Sequence, residues 1–378
     1  MLPWLLIAAL SQLPASEKLS PEDSREFQTE IRRLERLLLT AGDKPAVQYA
    51  LARTWASGGQ YREAIAALEK VAALNAGLDP SPDKIFTRLH GTREYEGIIR
   101  RIKEQTPPIV RSHAAFTLSE KGLAPEGMAY DPQRKRFFFG STLRPAITGC
   151  DLSGRCTTLV HDSGLGEVLG LRVDPTDGTL WAAGSALFHI AVPSGDLLSK
   201  YPLAGNHLFN DLVLNTRGDV FVTDTRGETV YWVSRKTNHL EVLHPGLRIT
   251  AANGIAIAPD DQKLFVAGFP DGITVVDLTS RQFRAIAHPP DLCLATIDGL
   301  TFDKGSLIAI QNGAMVPRVV RLYLTKDLTG IDRSEILERR NPLFEGITTG
   351  AIAEGVFYFM ANALRSNPTR ILALDLTR

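Results

Sequence analysis

Apolar positions change their spacing about 105 residues into the chain. Before that point they recur every three or four residues, as at Ile31, Leu34 and Leu38, which is typical of amphipathic helices. After Pro107 and Pro108, short β-branched and aromatic segments bounded by Asp, Gly and Pro turns continue to the end. Because two prolines end a helix, the pattern predicts a helical domain over residues 20–105 and an all-β domain over residues 109–378.

The helical region contains a motif of two antiparallel helices. Residues 46–74 predict a helix pair broken at Gly58 and Gly59, and they resemble one tetratricopeptide repeat because Trp55, Gly59, Tyr61 and Ala64 stand at its packing positions. A degenerate second unit is predicted over residues 85–102. One or two repeats offer little groove, so we favour a helical cap on the main domain, with binding of a protein partner as the alternative.

The β region repeats, and a turn followed by a strand recurs six times at intervals of 41 to 51 residues. Spacings of this size, with four short strands each, are typical of propeller blades. The pattern therefore predicts a mainly β fold, a six-bladed β-propeller, with the extended segment 111–118 supplying the outer strand of the last blade. The repeat positions that open the blades are Glu126, Leu169, Asn210, Asn253, Asp298 and Thr349.

The first residues indicate export. Residues 1–16 combine a short apolar run with a polar continuation, which predicts a signal peptide and a periplasmic or secreted protein. A frayed apolar terminus or an uncleaved anchor is the alternative. No later segment approaches the roughly 20 apolar residues of a membrane span, so no membrane is expected for the mature form. Lys and Arg total 42 against 42 Asp and Glu, which gives no indication of a nucleic-acid partner.

Three cysteines are present. Cys150 and Cys156 flank a turn-like stretch, so they could face each other across a hairpin and form a disulfide in an oxidising compartment, leaving Cys293 unpaired. Three reduced buried thiols are the equal alternative, and the spacing contains no CxxC motif.

Four of the six repeat positions carry a carboxylate or amide oxygen, which suits a hard cation. Glu126 and Asp298 are carboxylates, Asn210 and Asn253 are amides, and equivalent positions of a propeller converge at one mouth of its channel. This set predicts a metal site, with Ca²⁺ preferred and Mg²⁺ or Mn²⁺ open. Asn and Asp beside Gly are also common turn residues, so a metal-free propeller is the competing interpretation.

A second group of carboxylates is assigned differently. Asp131, Asp174, Asp260 and Asp303 follow the inner strands in turn contexts, and they are predicted to form turns on the opposite face.

Residues 111–378 resemble the regucalcin-type gluconolactonases, the senescence-marker-protein/gluconolactonase/luciferin-regenerating-like propellers, with paraoxonases and diisopropyl fluorophosphatase as more distant relatives. Four stretches carry the resemblance: Pro125-Glu126-Gly127, Phe209-Asn210-Asp211, Ala252-Asn253-Gly254-Ile255-Ala256 and Ile297-Asp298-Gly299-Leu300.

The resemblance implies that Glu126, Asn210, Asn253 and Asp298 hold the catalytic metal and that a small-molecule lactone or other ester is hydrolysed. It further implies a metal that polarises the scissile carbonyl, with Asp298 as general base or nucleophile. The helical segment is not part of the usual family pattern.

Two departures from the family pattern concern the substrate. Leu208 stands where gluconolactonases usually carry an arginine, and the blade-two loop lacks the histidine of paraoxonases. Glu167 and His207 lie near the mouth in sequence, and each is interpreted as an exposed loop residue. The alternative function is a non-catalytic exported propeller that binds metal and acts as a ligand- or protein-binding module.

Overall fold

The computed structural model describes residues 21–40, 44–162, 164–269, 271–365 and 368–377. The predicted signal peptide, residues 1–16, lies outside this range. The described chain divides into two compact units. One consists of the residues up to Pro107 together with Pro289–Ala295 and Gly313–Val316, and the other holds the remaining residues from Pro108 onward.

The first unit is built from helices. They are α1 (Pro21–Thr40), α2 (Lys44–Ser57), α3 (Tyr61–Leu74), a 3₁₀ helix (Lys84–Leu89) and α4 (Arg93–Gln105). The predicted helix pair is confirmed, since α2 and α3 are separated at Gly58 and Gly59, and Gly59 has a φ of +68°. The 3₁₀ helix and α4 occupy the place of the predicted second unit. Thr92 caps α4 by accepting a hydrogen bond from the backbone N–H of Tyr95.

The second unit is a six-bladed propeller of four-stranded antiparallel sheets, as predicted. Blade one contains β2 (Met128–Asp131), β3 (Arg136–Gly140), β4 (Ala146–Asp151) and β5 (Cys156–His161). Blade two contains β6 (Val168–Val173), β7 (Leu180–Gly184), β8 (Leu187–Ile190) and β9 (Leu197–Tyr201). Blade three contains β10 (Phe209–Leu214), β11 (Val220–Asp224), β12 (Thr229–Val233) and β13 (Leu240–Val242).

The remaining blades follow the same plan. Blade four contains β14 (Ile255–Ile257), β15 (Lys263–Gly268), β16 (Gly272–Asp277) and β17 (Phe283–Ala285). Blade five contains β18 (Ile297–Asp303), β19 (Ser306–Gln311), β20 (Arg318–Leu324) and β21 (Ile331–Arg339). Blade six contains β22 (Gly350–Ala353), β23 (Val356–Met360), β24 (Arg370–Asp375) and, as its outer strand, β1 (His113–Thr117).

The inner strands form a closed ring. Each contacts the inner strand of the next blade, from β2 through β6, β10, β14 and β18 to β22, which contacts β2 again. β1 pairs with β24 in antiparallel register, so the predicted closure of the ring by the segment before blade one is confirmed. Apolar side chains between neighbouring blades form the core, and large rings such as Phe137, Phe209 and Phe357 are almost fully buried there.

The β4–β5 hairpin carries a disulfide. Cys150 and Cys156 are paired residues of the two strands, their Cα atoms are 4.1 Å apart, and their sulfurs are bonded. Of the two alternatives that the sequence leaves open, the structure contains the bonded pair. Cys293 is buried and lies outside this disulfide. Within the described residues, no helix is long and apolar enough to cross a membrane.

Candidate metal centre

The four predicted ligands lie where inner strands begin. Asn210 and Asp298 are the second residues of β10 and β18, whereas Glu126 and Asn253 each lie two residues before an inner strand. All four side chains are partly buried, while the strand residues that follow them are mostly buried. The ring of inner strands therefore presents these oxygens at a single end of the propeller.

The backbones approach each other closely around this ring, and glycine makes the approach sterically feasible. A Cβ atom on Gly127 would lie 1.9 Å from the carbonyl oxygen of Leu169, and one on Gly254 would lie 2.4 Å from the carbonyl oxygen of Asp298. Real side chains do not tolerate such distances, so only glycine fits at positions 127 and 254. The tight ring brings the ligand positions of neighbouring blades together.

Three of the four predicted ligands follow a strained backbone. Ala124, Ala251 and Thr296 have φ values of +42°, +50° and +54°, and each lies two residues before a ligand position. Left-handed conformations are unfavourable for residues with a Cβ atom, most of all for a β-branched threonine, and such strain is concentrated at functional sites. In blade three the chain is held differently, because the backbone N–H of Leu208 donates to Asp224 at 2.9 Å.

Asp298 is held by amides. Nδ2 of Asn312 donates to its carboxylate at 2.5 Å and to the carbonyl oxygen of Ile347 at 2.7 Å, and the side chain of Asn253 also donates to the carboxylate. Burial raises the pKa of Asp298 to about 6, even though both amides lower it. This carboxylate therefore titrates just below neutral pH.

Glu126 is the more perturbed carboxylate. Burial, together with the negative charges of Asp298, Asp211 and Glu167, raises its pKa to about 8. Its backbone carbonyl accepts a hydrogen bond of 2.9 Å from Thr348 Oγ1. The charge of Asp298 thus acts on Glu126, although the two residues belong to different blades.

The amide of Asn210 is oriented by blade three. Its Nδ2 donates to Thr225 Oγ1 at 3.1 Å, and that hydroxyl donates to the backbone carbonyl of Ala252 at 2.6 Å. Since Ala252 precedes Asn253, the same hydroxyl links the two amide positions. With both nitrogens engaged as donors, the amide oxygens of Asn210 and Asn253 remain as acceptors.

Asp211 is a buried carboxylate whose role the sequence reasoning missed. It accepts a hydrogen bond from Arg172 at 3.2 Å and another from the backbone N–H of Leu212 at 2.8 Å. Burial raises the pKa of Asp211, and the guanidinium of Arg172 acts in the opposite direction. The repeat contained a signal, because Asp211 occupies the place that glycine holds in the other five blades.

The two loop residues near the mouth differ from each other. Glu167 is exposed, as predicted, although its charge still reaches Glu126. His207 is only 24% exposed, and its Nδ1 lies 2.5 Å from Asp224 Oδ2. The interpretation of His207 as an exposed loop residue is therefore wrong, because Asp224 is fully buried and holds the imidazole in place.

Solved structures show the same fold. A gluconolactonase from Xanthomonas campestris superimposes with a TM-score of 0.51 at 17% identity, covering 71% of this chain and 97% of that one. A luciferin-regenerating enzyme gives 0.52 at 14% identity, covering 72% and 96%. The major Malassezia sympodialis allergen Mala s 1 gives 0.52 at 17% identity, covering 68% and 95%. These identities establish the fold alone.

The propeller has the architecture of the gluconolactonase and luciferin-regenerating structures. No protein-family profile matches the chain. No curated protein matches it in sequence either. The resemblance expected from the four sequence stretches is thus confirmed at the level of the fold.

The donor set fits a hard divalent cation. Within the described residues no group of three or more His, Cys, Asp and Glu side chains could hold a metal, so an ion here would depend on both amides. The charge of Asp298 disfavours the charged form of Glu126, and the hydrogen bonds that stabilise the Asp298 carboxylate come from the amides of Asn312 and Asn253. A cation would favour their charged forms, and Ca²⁺ accepts carboxylate and amide oxygens in irregular geometry.

Proposed function

We propose that this protein is a hydrolase of lactones or other esters that depends on a divalent cation, preferably Ca²⁺. The observation that carries the proposal is the pair of partly buried carboxylates, Glu126 and Asp298, whose pKa values are raised and which stand at equivalent positions of two blades. Strongly perturbed pKa values are concentrated at functional sites.

Metal binding and proton transfer are assigned to specific residues of the site. Glu126, Asp298 and the amide oxygens of Asn210 and Asn253 would hold the ion, which supplies Lewis-acid stabilisation of the oxyanion of ester hydrolysis. Asp298 is the proposed proton acceptor or nucleophile. A pKa of about 6 suits a general base at neutral pH, and Asn312 and Asn253 fix the direction of its carboxylate.

Gluconolactonase-like folds in the solved structures support the reaction class and leave the substrate open. Leu208, in place of the usual arginine, argues against sugar-acid recognition. The same residue favours the second candidate function, a non-catalytic exported propeller that binds metal and a ligand or protein partner.

Thermal unfolding in EDTA and then with Ca²⁺, Mg²⁺ or Mn²⁺, followed by a lactone and aryl-ester screen on the same samples, tests the proposal. We expect one cation to raise the melting temperature and to be required for hydrolysis. Asp298→Asn should abolish turnover. Asp303→Asn, at the other end of the same strand, is the matched control and should retain it.

Two outcomes would decide against the hydrolase. Stabilisation by a cation without turnover of any substrate would favour the binding module. A melting temperature that no cation changes would exclude the metal site itself.

A further inference from the structure

Thr349 is the residue of blade six that corresponds, in the repeat, to the predicted metal ligands of the other blades. It immediately precedes β22 and is followed by Gly350, just as Asp298 is followed by Gly299. Blade six lies between blade five, which carries Asp298, and blade one, which carries Glu126. In the ring, Thr349 therefore stands between the positions of Asp298 and Glu126, and only 9% of the residue is exposed.

The hydroxyl of Thr349 is buried and has no hydrogen-bond partner among the described residues. A Cβ atom on Gly299 would lie 3.0 Å from this oxygen, so the hydroxyl leans towards the residue that follows Asp298. Its neighbour Thr348 reaches the other way and donates to the backbone carbonyl of Glu126. Blade six thus has one hydroxyl that is satisfied by the protein and one that is not.

Buried polar atoms without a partner are uncommon and destabilising, so each one needs an explanation. In the described chain, the other buried threonine hydroxyl without a partner belongs to Thr296, which is the strained residue two positions before Asp298. Both unpartnered hydroxyls therefore belong to residues near Asp298, Thr296 two positions before it in the chain and Thr349 in the adjacent blade, beside Gly299. A cation held at this end of the ring would give the Thr349 hydroxyl a partner.

We propose that Thr349 Oγ1 is a fifth oxygen of the cation site and contacts the ion directly or through one water. The inference rests on the proposed cation site and extends it to blade six. Ca²⁺ takes six to eight oxygens, so four side chains leave coordination positions to fill, and a hydroxyl from the blade between those of Asp298 and Glu126 can fill one of them. A hydroxyl that also orients a bound water would act as a positioning residue for hydrolysis.

Thr349→Val and Thr349→Ser form a matched pair for the test. Valine keeps nearly the same shape and removes the oxygen, whereas serine keeps the oxygen. Calorimetric titration of the metal-free full chain with Ca²⁺ should show affinity at least about tenfold weaker for Thr349→Val, the usual range for a residue that supports a metal site. Thr349→Ser should stay within about threefold of the unchanged protein.

Thermal unfolding in chelator gives an independent readout, because the substitution that weakens Ca²⁺ binding should not lower the melting temperature of the metal-free protein. Because Thr349→Val removes a buried hydroxyl that has no partner, its melting temperature without metal should equal or exceed that of the unchanged protein. A lower melting temperature in chelator would reveal a structural partner and overturn the inference.

The calorimetric outcomes separate the two proposals. Unaltered Ca²⁺ affinity in Thr349→Val would overturn the role of Thr349 and leave the four-ligand site standing. Absence of Ca²⁺ binding in the unchanged protein would overturn both the proposed site and the inference that rests on it.

Discussion

Acidic residues lie at both ends of the inner strands, in opposite environments. The turn end is the end that leads into the turn to the next strand, and the ring end is the end at which the predicted metal ligands lie. At the turn end, Asp131 accepts from the backbone N–H of Gln133 at 2.9 Å and from the guanidinium of Arg134 at 2.7 Å. Asp174 likewise accepts from the backbone of Thr176 and from Arg235 at 2.7 Å. The prediction that these aspartates form turns is confirmed.

At the ring end, the charges of other carboxylates act on both Glu126 and Asp298, and the hydrogen bonds that the Asp298 carboxylate accepts come from amides rather than from arginine. Their raised pKa values show that their charged forms are destabilised in the folded protein. The difference teaches that the surroundings, rather than the residue type, separate a carboxylate that stabilises the fold from one that is suited to bind a cation.

The largest effect is expected at the turn end. Asp131→Ala removes three hydrogen bonds to a carboxylate that is fully buried, so the free energy of unfolding should fall by about 3 kcal/mol. Urea denaturation measures this loss. Asp131→Asn keeps an oxygen for the turn and should cost less, and equal stability of Asp131→Ala and the unchanged protein would remove the contrast between the two ends.

A smaller change of opposite sign is expected at the ring end. Glu126→Gln removes a buried charge that is repelled by its neighbours, so at pH 8 in chelator the melting temperature should rise by a few degrees. The response to Ca²⁺ should disappear in the same variant. A fall in melting temperature comparable to that of Asp131→Ala would mean that Glu126 stabilises the fold like a turn carboxylate.

The smallest effect is a pH dependence of the metal-free protein. Glu126 and Asp298 have folded-state pKa values of about 8 and 6, above unfolded values of about 4.3 and 3.9. Their protonated forms therefore favour folding at low pH, and this contribution is lost as pH rises through 6 and then 8. Melting curves in chelator between pH 5 and 9 should show the decline, and Glu126→Gln should flatten its upper part. An equal slope in both proteins would contradict the assignment.

Most of the fold could be predicted because an internal repeat can be recognised in a single sequence. Turn-and-strand positions such as Asn253-Gly254 and Asp298-Gly299 recur at nearly constant intervals. These intervals give the number of blades and the place of the predicted ligands in each blade. The closing strand follows from the one extended segment that precedes the first repeat. Each of these features depends on local chemistry that is visible within a few residues.

The surroundings of the site could not be predicted in this way. Asn312 lies in the connection between β19 and β20, whereas Asp298 lies on β18. Arg172 contacts Asp211 from a neighbouring blade, and Asp224 contacts His207 from the adjacent strand. Such partners are chosen by three-dimensional packing, which no spacing rule encodes. The repeat predicts where the carboxylates lie, and only the fold shows how their charges are balanced.

The closure of blade six by β1 has a consequence for biosynthesis. β1 emerges from the ribosome before the other propeller strands, yet its partner β24 is the last strand to be made. Almost the whole propeller must be synthesised before this pairing forms, so β1 spends that time as an unpaired edge that could pair wrongly. Ring closure is therefore the step at which a nascent chain would most need protection by chaperones.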